Sequence, residues 1–183
     1  MSYRAFVLEP FPGLPVPEDV RVSGSARRDG AMLELAWRLE GPDASFSLPG
    51  PAEKPMRSSE LWEHTCFEGF LAVPGRPGYR EFNLSPAGHW NVFRFASYRS
   101  GMVEEEAFTA LPCSVSSQVG VCQVSARIDT TRLGCRADPW LLAIATVVAT
   151  PEGRLSYWAL SHPGPRPDFH HPGAFGLQLA TTE

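Results

Sequence analysis

His64-Thr-Cys-Phe-Glu-Gly-Phe-Leu-Ala-Val73, Tyr79-Arg-Glu-Phe-Asn-Leu-Ser85 and Trp90-Asn-Val-Phe-Arg-Phe-Ala-Ser-Tyr98 follow one another closely. Only Pro74-Gly-Arg-Pro-Gly78 and Pro86-Ala-Gly-His89 lie between them. The runs are short, and Pro and Gly, which interrupt helices and set turns, bound them. They read as three antiparallel strands joined by hairpins. Phe67, Leu71, Phe82, Leu84, Phe93 and Phe95 are assigned to one buried face, because a one-residue slip would turn them to water. The other face then carries His64, Cys66, Glu68 and Phe70, then Tyr79, Glu81, Asn83 and Ser85, then Trp90, Val92, Arg94 and Ala96.

The period of two extends outward from this centre. Val20 to Arg27 and Ala31 to Arg38 flank Arg28-Asp-Gly30, and Asp-Gly is a strong hairpin signal. Gly120 to Asp129 alternates cleanly, with Cys122, Val124, Ala126 and Ile128 pointing one way. Trp140 to Thr150 is apolar on both faces, as a central strand would be. Pro151 to Arg154 then turns it into Leu155 to Leu160. Residues 41–60 read as a long loop, Gly101 to Phe108 as a short helix or a loop, and Thr130 to Gly134 as one helical turn. The pattern predicts an all-β protein: one antiparallel β-sandwich domain over residues 1–183 with short helical turns. Closure into a barrel is the alternative.

Composition narrows the class. The chain has 183 residues, 43% hydrophobic and 11% aromatic, enough for a core without disulfides. A net charge of −4 argues against a nucleic-acid partner, which would need a basic face. No run approaches the ~18 apolar residues of a membrane span, and Met1 to Leu8 lacks the apolar core of a secretory leader. The four cysteines, Cys66, Cys113, Cys122 and Cys135, form no CxxC pair, so neither a zinc knuckle nor a redox motif is predicted. The expectation is a soluble cytoplasmic chain with reduced thiols, in which Cys122 is a small buried hydrophobe.

Turn lengths suggest how the three middle strands pair. A two-residue Ala87-Gly88 turn would set Glu81 opposite Arg94 and Ser85 opposite Trp90. A turn near Gly75-Arg76 would set Glu68 opposite Asn83. Glu68, Glu81, Asn83 and Arg94 would then converge on one sheet surface beside Trp90 and Tyr79. Carboxylates, an amide and a guanidinium suit paired hydroxyls, and flat rings suit the C–H face of a sugar. A solvated sheet face would also be charged, so a purely structural role stands beside this one.

Trp158 to Gly176 is the second unusual stretch. It holds three of the five histidines (His162, His170, His171) among four prolines. Proline fixes an extended path. Adjacent His170 and His171 would point to opposite sides of it, so no metal set is assigned. The expectation is that Trp158 to His170 folds back over the polar sheet face, and that Arg166, Asp168 and His170 wall a ligand site.

Three stretches carry a resemblance to a known family: Glu60-Leu-Trp-Glu-His64-Thr-Cys-Phe-Glu68, Tyr79-Arg-Glu81-Phe-Asn83-Leu-Ser-Pro86-Ala-Gly88-His-Trp90, and Asp168-Phe-His170-His-Pro172-Gly-Ala-Phe175-Gly176. The chain resembles the DOMON-like superfamily, more narrowly a bacterial DOMON-like group related to family 9 carbohydrate-binding modules. The resemblance implies a jelly-roll-like sandwich that binds a small ligand, a sugar or a haem, on one sheet. The matching ligand-binding positions are Glu68, Glu81, Asn83 and Arg94, with Trp90, Trp158 and Trp62 as candidate rings and Asp168 and His170 in the closing loop. For haem the axial candidates are Met102 or Met56 with His162 or His170. No catalytic residue is assigned.

A binding module for a small carbohydrate is therefore the leading expectation. A glycosidase-like hydrolase using Glu68 and Glu81 is the enzyme alternative, although Arg94 would keep Glu81 ionised. A protein-interaction scaffold is the third. The absence of GxSxG, GxGxxG and Walker sequences removes serine-hydrolase and nucleotide chemistry.

Overall fold

The structure is a computed structural model and describes residues 1–134 and 139–180. Among them are twelve strands: β1 (Ser2–Pro10), β2 (Arg21–Asp29), β3 (Met32–Glu40), β4 (Cys66–Ala72), β5 (Tyr79–Leu84), β6 (Trp90–Phe95), β7 (Val103–Glu104), β8 (Cys113–Gln118), β9 (Val121–Asp129), β10 (Trp140–Ala149), β11 (Leu155–Ala159) and β12 (Leu177–Leu179). They form one curled antiparallel sheet in the order β7-β6-β5-β4-β10-β11-β1-β2-β3-β9-β8, with β12 beside β10. β1 is the joint. Ser2 to Leu8 pair with β2, whereas Glu9 and Pro10 pair with Ala159 and Trp158 of β11. The sheet thus folds on itself into the expected sandwich.

Alternation places the core. Leu33, Leu35, Trp37 and Leu39 of β3 and Cys122, Val124, Ala126 and Ile128 of β9 meet Phe67, Leu71, Phe82, Leu84, Leu142 and Ile144 of the other layer. The Trp37 and Phe67 rings lie 6.0 Å apart. Gly69 sits where Leu35 crosses: a Cβ there would lie 2.5 Å from Leu35 Cδ1.

β10 is central, between β4 and β11, and is buried on both faces as expected. Its outer face, Ala143, Ala145 and Val147, joins Phe70, Tyr79, Phe93, Phe95, Phe169 and Ala174 in a second apolar cluster. The C-terminal segment therefore covers the outside of this layer. That second cover explains why β4 and β10 are buried on both sides.

The register of β6 corrects the sequence reading. Trp90 and Val92 belong to the inter-sheet core, and Phe93 and Phe95 to the outer cluster. The cause is the hairpin loop. Gly88 donates to Ser85 O at 2.8 Å and Ser85 donates to His89 O at 2.9 Å, with Gly88 at φ +93°. This is a three-residue loop with a left-handed glycine in place of a two-residue turn. One added residue turns every β6 side chain to the other face. Glu81 consequently stands opposite Phe93, and Arg94 opposite Arg80.

Smaller differences follow the same logic. β1, β8 and β12 were not anticipated. Residues 101–108 hold the short β7 and a turn, with no helix. Thr130–Leu133 makes the expected single helical turn, capped by Asp129, which accepts from Thr131 N at 3.0 Å. Cys122 is fully buried, and Cys135 lies outside the described residues. No helix among the described residues is long and apolar enough to cross a membrane.

Candidate ligand-binding site

A cavity of about 500 Å³ opens on the outer face of the β4–β5–β6–β10–β11 layer, a size typical of small-ligand sites. The strand registers build its floor. Glu68 on β4 stands opposite Asn83 on β5 and Ala145 on β10, and Ala145 stands opposite Ala159 on β11. Small residues on that side leave room above Glu68. Glu81 lies two residues from Asn83 on the same strand, hence on the same face. Phe95, Val147 and Tyr157 complete the floor, and Pro167, Phe169 and His170 form the roof. Trp62, delivered by the single-turn helix Leu61–Glu63, stands at the side, its ring 5.9 Å from that of Phe93.

Three polar side-chain pairs hold the roof down. The Tyr79 hydroxyl lies 2.7 Å from His170 Nδ1 and accepts from Arg99 N at 3.3 Å. Arg99 donates from Nε and Nη2 to Asp168 Oδ1 at 3.0 and 2.8 Å. Tyr98 donates to the other carboxylate oxygen of Asp168, and His170 N donates to Oδ1 at 3.1 Å. Burial pushes the Asp168 carboxyl up, but its bonds from Tyr98 and Arg99 outweigh this and hold it below the ordinary range. Arg99 itself sits at φ +49°, in the tight turn after β6. Such a conformation costs a non-glycine residue about 1 kcal/mol or more, and functional sites are where it is usually retained.

The floor is acidic and poorly solvated. Glu68 and Glu81 are buried, at 3% and 4% exposure. Asn83 donates its amide to Glu81 Oε1 at 2.9 Å, and His170 Nε2 lies 3.9 Å from Glu81 Oε2. Glu68 Oε1 is buried without a hydrogen-bond partner. Burial, then the neighbouring Glu81, pushes the Glu68 carboxyl well above the carboxylate range. Burial raises Glu81 to about 7 against the lowering effects of Asn83 and Arg99. Burial, reinforced by Arg99, lowers His170 to about 4, so its ring is neutral at neutral pH. A Tyr79 hydroxyl that donates to Nδ1 leaves the proton of that neutral ring on Nε2, facing Glu81.

The structure gathers Glu68, Glu81, Asn83, Asp168 and His170 of the residues expected from the sequence. The other three it places elsewhere. Arg94 lies on the opposite face, exposed, with its guanidinium 4.0 Å from Glu105. Trp90 lies in the inter-sheet core under the Arg57 guanidinium, at 4.6 Å, and borders a separate groove with Pro55 and Leu111. Trp158 points into the sandwich, where its Nε1 donates to Ser156 Oγ at 3.0 Å, while its neighbour Tyr157 faces the cavity. Arg166 makes no described contact with the site, and the cavity's cation is Arg99. Sequence reasoning missed Arg99 because it lies past the strand, outside any alternation. The one available signal was Asp168, a lone carboxylate in the closing segment that needed a cationic partner.

The residues present do not suit a haem. Met56 is exposed beside His89, and His162 is held by Glu9 O at 2.8 Å. Met102 and His170 do border the same cavity. The floor beneath them, however, is a pair of buried carboxyls, one with an unpartnered oxygen, which an apolar macrocycle would seal without a donor.

No known family model matches the sequence, and no curated protein matches it. Solved structures do match the fold. A protein from Bacteroides uniformis ATCC 8492, provisionally described as carbohydrate-binding, superposes with a TM-score of 0.71 at 14% identity, covering 94% of this chain and 84% of that one. A family 9 carbohydrate-binding module from Caldicellulosiruptor kristjanssonii, solved in complex with cellotriose, superposes with a TM-score of 0.56 at 10% identity, covering 94% and 80%. At these identities the likeness is one of fold: this chain has the β-sandwich architecture also found in carbohydrate-binding modules.

Proposed function

We propose that this protein binds a small carbohydrate in the cavity above Glu68 and Glu81. One observation carries the reading: buried polar side chains are held in a ring-lined concavity under a roof that Asp168 and Tyr79 pin in place. Few, fixed polar groups among apolar walls are what small-ligand sites require. A roof fixed before binding also lowers the ordering cost. Trp62, Tyr157 and Phe169 offer flat surfaces for sugar C–H faces, and Glu81 and Glu68 supply oxygen atoms for hydroxyls. The fold shared with a module solved with cellotriose supports a sugar over other small polar ligands.

Calorimetric titration against a panel of mono- and disaccharides tests this. Binding is expected for the wild type and lost in Glu81→Ala with the fold intact by circular dichroism. Wild-type protein that binds no sugar at millimolar concentration would refute the reading.

Hydrolysis is the second reading, favoured by the placing of two carboxyls together with Arg94 absent from them. The objection that Arg94 keeps Glu81 ionised is thereby removed. Release of nitrophenol from nitrophenyl glycosides, abolished in Glu81→Gln, would select it over simple binding.

A further inference from the structure

The cavity is unbalanced in two respects. Its lining holds three carboxyls, Glu63, Glu68 and Glu81, against one guanidinium, Arg99, which is committed to Asp168. Its unsatisfied capacity is also of one kind. Glu68 lines the cavity and its Oε1 is buried without a partner, and Glu81 Oε2 has only the imidazole nitrogen at 3.9 Å. Buried polar atoms without partners are few in native proteins, and a carboxyl oxygen left so inside a ligand cavity is a vacant acceptor. The walls add to this. Trp62, Phe95, Tyr157 and Phe169 present ring faces and edges, and ring faces attract cations.

We infer that the ligand carries a cationic amino group seated between Glu68 and Glu81, so that, within the reading proposed above, it is an amino sugar rather than a neutral one. An ammonium brings three donors and one positive charge. Glu68 Oε1 takes one donor and Glu81 Oε2 another, while the rings cover the apolar part of the sugar. A neutral hydroxyl could fill one vacancy but would bring no charge to favour ionisation of either carboxyl.

Protonation should then be linked to binding. The titratable and charged groups facing the pair are Cys66 on β4, Tyr79 on β5, Arg99 in the turn after β6, Asp168 and His170 on the roof, and Glu63 beside Trp62. Cys66 is held protonated by burial and Tyr79 is raised by burial, so both stay neutral. Arg99 and Asp168 neutralise each other, and Glu63 is exposed. The proton lost when an ammonium arrives must therefore come from Glu68 or Glu81.

The test is a calorimetric titration with D-glucosamine, N-acetyl-D-glucosamine, D-glucose and cyclohexylamine, in two buffers of different ionisation heat. The expected result is that glucosamine binds about tenfold or more tightly than glucose and N-acetylglucosamine, as charge-assisted bonds allow. Among the sugars, proton release should accompany glucosamine only, and Glu68→Gln should remove the preference without shifting the thermal midpoint downward. Equal or tighter binding of glucose would overturn the inference and leave the sugar reading standing. Binding of cyclohexylamine and of none of the three sugars would refute the sugar reading and uphold the ammonium seat. No binding by any of the four would overturn both. The wild-type comparison decides the matter even if a variant fails to fold.

Discussion

Asn83 lies opposite Glu68 across the β4–β5 ladder and donates its side-chain amide to Glu81, two residues along its own strand, at 2.9 Å. One amide thus stands between two buried carboxyls and favours the charged form of only one. Replacing it by Asn83→Ala should raise the Glu81 titration above about 7, because its lowering effect is lost and burial remains. Carbon-13 NMR of the carboxyl resonances would measure this. The same change should cost about 1–3 kcal/mol of stability through the lost buried bond.

The pH profile of stability contains opposed contributions from the buried carboxyls and from His170. Burial raises Glu81 from 4.5 to about 7, so it holds its proton more tightly folded than unfolded. Its contribution is complete below pH 4.5 and is lost as pH rises to about 7. His170, lowered by burial from 6.5 to about 4, does the reverse: its contribution is present above pH 6.5 and is lost as pH falls toward 4. Glu68, also raised by burial, adds to the Glu81 slope, so between pH 4.5 and 6.5 the two carboxyls together outweigh the opposing His170 slope. In Glu68→Gln/Glu81→Gln the His170 slope should stand alone, so stability should rise by up to about 3 kcal/mol across that window. Urea midpoints at half-unit pH steps would show it, and a flat or falling profile in the double variant would contradict the assignment.

Arg99 and Arg94 should separate cleanly. Arg99→Asn removes the guanidinium but suits the left-handed backbone, so little strain changes. With the Arg99 side chain half exposed, the thermal midpoint should move little, as for a surface pair worth ~0.2–1 kcal/mol. Amide exchange at His170 and His171 should nevertheless speed up, and sugar binding should weaken. Arg94→Ala should alter neither, since its side chain lies across the sheet beside Glu105.

Two strand glycines should rank by what blocks them. At Gly24 an added Cβ would meet the Ala36 carbonyl oxygen at 2.0 Å and Phe6 Cζ at 2.6 Å. At Gly69 it would meet only the Leu35 methyl, at 2.5 Å, which can rotate away. Gly69→Ala should cost about 1–3 kcal/mol, the usual penalty of overpacking. Gly24→Ala should cost more, because a hydrogen-bonded backbone must move. Equal denaturation midpoints would refute the ranking.

The β4–β5 hairpin was legible because Glu68 and Asn83 occupy a face whose partner positions, Phe67 and Leu84, are unmistakably apolar. The fold-back of the Trp158–His170 segment was legible from proline stiffness and from Asp168 and His170 set among apolar residues. The facing of β6 was not. Trp90, Val92, Phe93 and Phe95 are apolar on both sides of the strand, so alternation held no information and the loop length decided. The Gly88 conformation that sets that length is a backbone property, which the residue name permits without dictating. β8 was missed for a different reason: Cys113-Ser-Val-Ser-Ser-Gln118 lies at an edge, largely exposed, and carries almost no apolar signal. Trp158 was the ring expected from β11, and the pairing of Val147 with Tyr157 instead turns its neighbour Tyr157 outward, which alternation along so short a strand did not reveal.

The pins of the cavity roof also bear on the order in which the molecule assembles. The floor on β4, β5 and β6 is built by neighbouring hairpins, within some thirty residues of chain. The roof joins it through Tyr79–His170 and Arg99–Asp168, across separations of 91 and 69 residues. On a ribosome the acidic floor therefore emerges well before its cover, and Phe70, Tyr79, Phe93 and Phe95 remain bare until the C-terminal segment arrives. Local contacts form early and distant ones late. The interval in which those rings are uncovered is the stage of synthesis at which this chain is most prone to associate with other molecules.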